Sequence, residues 1–251
     1  MGLRNCTGKG DFRVPGFVFS GMESGEIELI EAILDAYRQG AFPMAEGRDA
    51  ARLGKPVRWY RPFERAVLPI RPELLGLDQG VHMPRRLTRT YRQGKFRLTT
   101  DAAFDRVIRA CAEPRRETPS SSTETWIDDR IIHAFELLHD AGHTHSIEAW
   151  LEKGTGELEL VGGLYGLALG GVFCAESMFS RPEIGGTDAS KVCLVKLIEH
   201  CTARGFSVID TQFVNPHLEQ FGVVEIETER YLDLLDDVGD QEISWLPFEA
   251  T

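Results

Sequence analysis

The chain has 251 residues, enough for one large domain or a small domain joined to a larger one, and its 42% hydrophobic content allows a sizeable core. No apolar run reaches the roughly 18–20 residues of a membrane span, and the N-terminus lacks a signal-peptide pattern. A net charge of −11 excludes a protein that coats nucleic acid with its whole surface. Five scattered cysteines (Cys6, Cys111, Cys174, Cys193, Cys201) without a C-x-x-C pair point to reduced thiols in a cytoplasmic protein.

Residues 1–24 carry little periodicity and read as loop. Apolar residues at helical spacing predict a helix over 27–38, ended by Gly40. A turn, Gly40-Ala41-Phe42-Pro43-Met44, and a loop over 45–56 follow. Residues 57–60 read as a short strand and 66–70 as a second, interrupted by Pro69. These elements make a small N-terminal α/β domain, residues 1–73, with the main domain spanning 74–251.

The main domain opens on a basic segment in which Arg85, Arg86, Arg89, Arg92, Lys95 and Arg97 stand without an acid among them. In an acidic chain that patch points to phosphates, although a solvated basic helix is the plainer reading. A strand over 96–100 and a helix over 102–111 come next, then a polar loop over 113–125 that delivers Trp126. Asp128 or Asp129 caps a helix over 130–141, and 145–150 alternates like a strand. Two apolar runs, 160–168 and 172–179, flank Gly170-Gly171 and predict a buried hairpin. Asp188 is the expected N-cap of a helix over 189–204, and 206–213 is a further buried strand. Residues 244–248 read as an edge strand or as a loose end after the acidic 233–242 segment. The order predicts a mixed sheet with helices on its faces.

Strict alternation along 172–179 places Val172, Cys174, Glu176 and Met178 on one face and Phe173, Ala175, Ser177 and Phe179 on the other. Glu176 is then a lone carboxylate in an apolar strand, which needs a partner or a task. Asp210 and Gln212, two apart, point the same way, and the carboxylate can polarise the amide, although a sheet-end pair bonded to backbone is the plainer reading. His139, His143 and His145 stand near Glu148, but the helix end at Gly142 keeps the imidazoles from converging on a metal. A Cys174–His145–Asp210 triad rests on residue types alone, and the glycines fit neither a P-loop nor a dinucleotide fingerprint. Trp59, Phe173 and Met178 read as core, whereas Trp126, emerging from a polar loop, suits base stacking.

Several stretches together resemble the leucyl/phenylalanyl-tRNA–protein transferases. They are AYRQGAFPM, the W-x-x-P-x-x-R of 59–65, PRRLTRT, DAAF-x-x-VI-x-x-CA, TWI, LH-x-x-GH-x-HSIEAW, LVGGLYGLALGGVFCAESMFSR, DASK and IDTQFVNPHLEQFG. The resemblance implies a GNAT-like acyltransferase domain without a cofactor or metal. Such enzymes move Leu or Phe from leucyl-tRNA or phenylalanyl-tRNA to proteins bearing N-terminal Arg or Lys, feeding N-end-rule degradation. It implies that Arg85 to Arg97 hold acceptor-stem phosphates and that Met44 and Trp126 flank the terminal adenosine, with Trp59 close by. Leu164, Phe173 and Met178 then line a side-chain pocket, and Gln212, polarised by Asp210, accepts a hydrogen bond from the attacking amine while Glu176 and Asn215 position substrates. Met44 stands where some members have Trp, and Leu164 where Met is usual. A monomer is expected. Rival readings are a related acyltransferase with another aminoacyl-tRNA or amine, and a non-catalytic tRNA-binding module.

Overall fold

The computed structural model describes residues 25–113, 125–154 and 156–248. The 1–24 segment and most of the 113–125 loop lie outside these residues. Helix α1 (Gly25–Arg38) buries Leu29, Ile33, Leu34, Ala36 and Tyr37 along one face. It closes at Gly40, where Gly40 N–H donates to Tyr37 O and Ala41 N–H to Ala36 O, the pairing of a left-handed helix end. Strands β1 (Phe42–Met44) and β2 (Arg58–Tyr60) then form a two-stranded antiparallel sheet.

Strand β3 (Glu64–Pro69) does not stay with this pair. It lies inside a seven-stranded sheet ordered β4-β5-β6-β7-β8-β3-β9, whose other members are β4 (Arg97–Thr100), β5 (Thr144–Glu152), β6 (Leu158–Leu169), β7 (Val172–Ser180), β8 (Val208–Gln212) and β9 (Val224–Glu227). Every neighbouring pair is antiparallel except β7–β8, which is parallel. A parallel pair needs a crossover, and α5 (Ala189–Arg204) supplies it. The predicted mixed α/β architecture is therefore the one observed.

Two cores sandwich the sheet. On one face α1, α3 (Phe104–Cys111), α4 (Asp129–Asp140) and α7 (Thr228–Val238) pack over Val67, Tyr165, Leu167 and Cys174. On the other, α2 (Arg85–Arg92) and α5 cover Leu68, Leu164, Phe173 and Ile209. Asp128 is the true cap of α4, its Oδ1 accepting from the N–H groups of Arg130 at 3.0 Å and Ile131 at 3.2 Å. Asp188 occupies the cap position of α5 but makes no capping bond; its carboxylate pairs with Lys191 at 3.0 Å.

Gly170 does more than turn the β6–β7 hairpin. Its φ is +52°, and a Cβ there would lie 2.1 Å from Gly239 O, so the hairpin tip seats on the end of α7 only because the side chain is missing. Helix α7, strand β9 and the short α6 (Pro216–Glu219) are additions to the sequence reading, and residues 244–248 form no strand.

Candidate active site

The site follows from where β7 and β8 part. They pair only at Val172–Val208, Phe173–Ile209 and Cys174–Asp210; β7 then runs on to Ser180 while β8 ends at Gln212. At the fork β7 carries a bulge. Gly166 faces Ala175 and Tyr165 faces Ser177, so Glu176 is the extra residue. The bulge breaks the expected alternation. Met178 packs with Leu164 and Phe173 in the second core, Phe179 turns to the first, and the Glu176 carboxyl meets groups of the first. The expected grouping of Glu176 with Met178 on one face is thereby corrected; a one-residue register change moves every later side chain across the sheet.

Glu176 is partly accessible. Its Oε1 accepts a hydrogen bond from Tyr37 OH at 2.7 Å, and Gln212 lies against it from the far side of the fork. The Gln212 amide satisfies both ends when its nitrogen donates to Ala175 O at 3.0 Å and Thr211 O at 3.1 Å, which turns its oxygen toward Glu176. The opposite orientation leaves the nitrogen 3.5 Å from Glu176 Oε1, at the limit of a hydrogen bond. Withdrawal from water pushes the Glu176 carboxyl up; the Tyr37 bond pulls it back, Asp210 adds to the rise, Arg65 opposes it, and the balance is about 8. Burial, then the nearby Glu176, also raises the Tyr37 and Tyr165 phenols. Tyr165 OH is buried without a hydrogen-bond partner among the described residues.

Asp210 is used differently from the expectation. Both its oxygens receive the Arg65 guanidinium, Nε at 2.8 Å on Oδ1 and Nη2 at 2.6 Å on Oδ2, and Tyr231 OH donates to Oδ2 at 2.8 Å. What it offers Gln212 is Oδ1, which accepts the backbone N–H at 2.9 Å and not the side-chain amide. That bond holds Gln212 at φ +58°, a conformation unusual for a residue with a side chain. Polarisation of the amide by a direct contact with the carboxylate is therefore replaced by control of the backbone. Arg65 also donates to Gly40 O at 3.0 Å, and its guanidinium carbon lies 4.7 Å from both the Phe42 and Tyr231 ring centres. One buried cation thus ties the end of α1, β1 and α7 to the residue beside the fork.

The remaining sequence candidates are spread over several places. Met44 and Trp126 lie on adjoining segments, joined by Ala45 N–H donating to Trp126 O at 2.9 Å, and Trp59 is opposite Pro43 in β2. Leu164 and Phe173 are fully buried in the second core, on the other face from the Glu176 carboxyl. Asn215 spends its side-chain oxygen capping α6, accepting from His217 N–H at 3.0 Å and Leu218 N–H at 3.1 Å. Arg85, Arg86, Arg89, Arg92, Lys95 and Arg97 are all exposed, and none forms an ion pair among the described residues. Arg85, Thr88, Arg89, Arg92 and Gln93 line an open concavity of about 370 Å³. The three histidines are engaged separately: His139 with Thr144 O and the Phe104 ring, His145 with Asp101, His143 with neither. Cys174 is buried and its thiol is pushed well up by burial, then by Asp210, so no activated nucleophile stands there.

Residue reading missed Tyr37, Arg65 and Tyr231. Each sits in an ordinary helix or strand pattern; Tyr37 falls within AYRQGAFPM and Arg65 within the W-x-x-P-x-x-R spacing, and Tyr231 carried no signal.

Comparison with known proteins agrees with this layout. The family model described as "Leucyl/phenylalanyl-tRNA protein transferase" matches residues 74–236, and its N-terminal domain model matches 29–62. The leucyl/phenylalanyl-tRNA–protein transferase of Paramagnetospirillum magneticum is 43% identical over 221 residues, 88% of this chain and 93% of that protein. The same-named protein of Gloeobacter violaceus is 46% identical over 201 residues, 80% and 89% of the two chains. A solved structure titled "Crystal structure of FemX" superposes with a TM-score of 0.49 at 12% identity, covering 78% of this chain and 66% of that one. The chain is thus a transferase built on a forked mixed sheet. It belongs to the leucyl/phenylalanyl-tRNA protein transferase family.

Proposed function

We propose that this protein, a cytoplasmic monomer, moves Leu or Phe from its charged tRNA to the α-amino group of proteins with N-terminal Arg or Lys. Residues 1–73 form an N-terminal unit that lends β3 to the sheet of the transfer unit, 74–251. The observation that carries the reading is the meeting of Glu176 and Gln212 across the fork, 3.5 Å apart.

The ester is already activated, so the enzyme's task is orientation. An α-amine of pKa about 7.7–8.0 is partly neutral at cellular pH. Its nitrogen forms a bond to the ester carbonyl carbon, the carbon–oxygen bond to the tRNA ribose breaks, and the proton lost by nitrogen equals the one gained by the departing oxygen. Gln212 Oε1 accepts a hydrogen bond from the amine and aims its lone pair. A Glu176 carboxyl that stays protonated near neutral pH donates to Gln212 Oε1 and fixes the amide. Asp210 sets the Gln212 backbone. Met44, Trp59 and Trp126 receive the terminal adenosine, and Asn215 borders the amine; the Leu or Phe side chain passes through the gap where β7 and β8 part to reach Leu164, Phe173 and Met178 on the second face. Arg85, Arg86, Arg89, Arg92, Lys95 and Arg97 take the acceptor-stem phosphates.

Gln212→Ala tests this. Transfer of labelled leucine to an Arg-initiated model protein at saturating substrate should fall about 100-fold, with tRNA binding within about threefold of wild type. Equal loss of transfer and binding would reduce Gln212 to a structural role. Product with Asp- or Glu-initiated acceptors, but none with Arg or Lys, would favour the rival amine.

A further inference from the structure

We propose that residues 241–248, which cross the second core without forming a helix or strand, make the outer wall of the amino-acid side-chain slot, and that Trp245 sets the depth of that slot by backing Phe173. The inference rests on the reading of Leu164, Phe173 and Met178 as slot residues and goes beyond it, since it concerns which side chain fits.

Phe173 stands one residue before the last paired position of the fork, on the second face, and in this proposal its ring is the floor of the slot. Three neighbours hold it. A Cβ at Gly166 would come within 2.5 Å of Phe173 Cε1, so the ring lies directly on the β6 backbone. Phe206 meets it edge-on at 6.2 Å. Trp245 stacks on it at 5.0 Å with 25° between the planes. The first two belong to the sheet and to the segment leading into β8, and neither can withdraw without moving a strand. The third belongs to the irregular segment, so replacing it moves no strand.

The indole is itself fixed at four points. Its other contact face is the His145 imidazole, at 4.7 Å and 8°, held in turn by Asp101 Oδ2 at 2.9 Å. Trp245 Nε1 donates to Thr100 Oγ1 at 3.0 Å, and His200 meets the ring edge at 4.3 Å. Arg204 Nε donates to Ser244 O at 2.8 Å and pins the segment beside it. A side chain on an unstructured segment that is this closely held, and that spans from β4 to Phe173, positions the slot floor. Trp245 is a positioning residue: it acts through Phe173 and touches no substrate.

The test is the ratio of kcat/KM for phenylalanyl-tRNA over leucyl-tRNA in the full-length chain, with an Arg-initiated acceptor. Trp245→Ala lets the Phe173 ring drop into the vacated space, and the ratio should rise about tenfold, the scale on which apolar pockets sort side chains by size. Trp245→Leu, which keeps apolar cover and protects folding, should raise it by about threefold, whereas Trp245→Phe, which keeps a flat ring, should leave it near wild type. A purely structural role lowers both substrates together; an unchanged ratio in folded Trp245→Ala or Trp245→Leu overturns the proposal. Phe173→Leu separates the two levels of the argument. A shifted ratio there with none at Trp245 removes only the backing role, whereas no shift in either removes the slot and the proposal with it.

Discussion

Replacing Arg65 by Met separates what the buried ion pair does for the fold from what it does for the site. The Arg65 and Asp210 side chains are 2% and 0% exposed, and the pair is linked by three hydrogen bonds of 2.6–3.0 Å. Burial alone would lower the guanidinium's pKa; the facing Asp210 outweighs it, and the charge is held. Arg65→Met leaves the Asp210 carboxyl buried without its cation, which costs about 3–5 kcal/mol. For a chain of this size that is a fall in Tm of roughly 10 °C. Adding Asp210→Leu replaces the orphaned carboxylate with an apolar group and should recover most of that stability, because desolvation of the pair had consumed much of its attraction. Transfer should not recover. The Gln212 N–H, held by Asp210 Oδ1 at 2.9 Å, would have no acceptor, and the left-handed backbone that aims the amide would relax. Urea unfolding followed by tryptophan fluorescence, with leucine transfer from leucyl-tRNA, measures both. A double variant that folds and transfers like wild type would refute the reasoning, as would a single variant that loses less than about 1 kcal/mol.

Three further outcomes are expected. The Glu176 carboxyl, raised to about 8, keeps its proton in the folded chain while the unfolded chain releases it near the ordinary carboxylate value, so its contribution to stability declines as pH rises through that window. Glu176→Gln removes the decline: unfolding midpoints should match wild type near about pH 5 and exceed it near about pH 8.5, and a constant offset at all pH values would count against the raised pKa. Gly166→Ala sets a Cβ 2.3 Å from Cys174 O and 2.5 Å from Phe173 Cε1, so it should cost about 1–3 kcal/mol in urea and reduce transfer; a neutral result would mean the sheet yields there. Joint replacement of Arg85, Arg89 and Arg92 by Ala should weaken tRNA binding and flatten its log–log salt dependence by about one unit for each phosphate no longer neutralised; an unchanged slope would move the acceptor stem elsewhere.

The parts of this fold that are legible in sequence are those decided within a dozen residues. Gly170-Gly171 between two apolar runs announces a hairpin, and Gly40 and Gly205 announce helix ends. Helix α7 escapes because its acidic residues mask a buried stripe, Tyr231, Leu234, Leu235 and Val238, whose spacing is helical. Strand β3 reads as part of the N-terminal unit because it is contiguous with it. Its partner in the sheet, β8, lies far along the chain, with Ala66 facing Gln212, and no local pattern encodes that pairing.

The candidate site divides along the same line, and the division explains why it is built as it is. Glu176 and Gln212 are legible as types, polar groups in apolar strands, but their meeting depends on the β7 bulge and on the turned backbone after Asp210. Both are departures from regular strand geometry, and each needs something outside its own strand to hold it. For Gln212 that support is Arg65, reaching Asp210 from 145 residues away and anchored on Gly40 and on the Phe42 and Tyr231 rings. For Glu176 it is Tyr37, one helical turn before Gly40. Both supports come from the end of α1 and the strands that follow it, so the N-terminal elements are what keep the fork strained and open. A β-sheet alone would close the fork with ladder hydrogen bonds. Covering it with an arginine and a tyrosine from elsewhere in the chain gives the two strand ends partners other than each other, and leaves an amide and a carboxyl facing the gap.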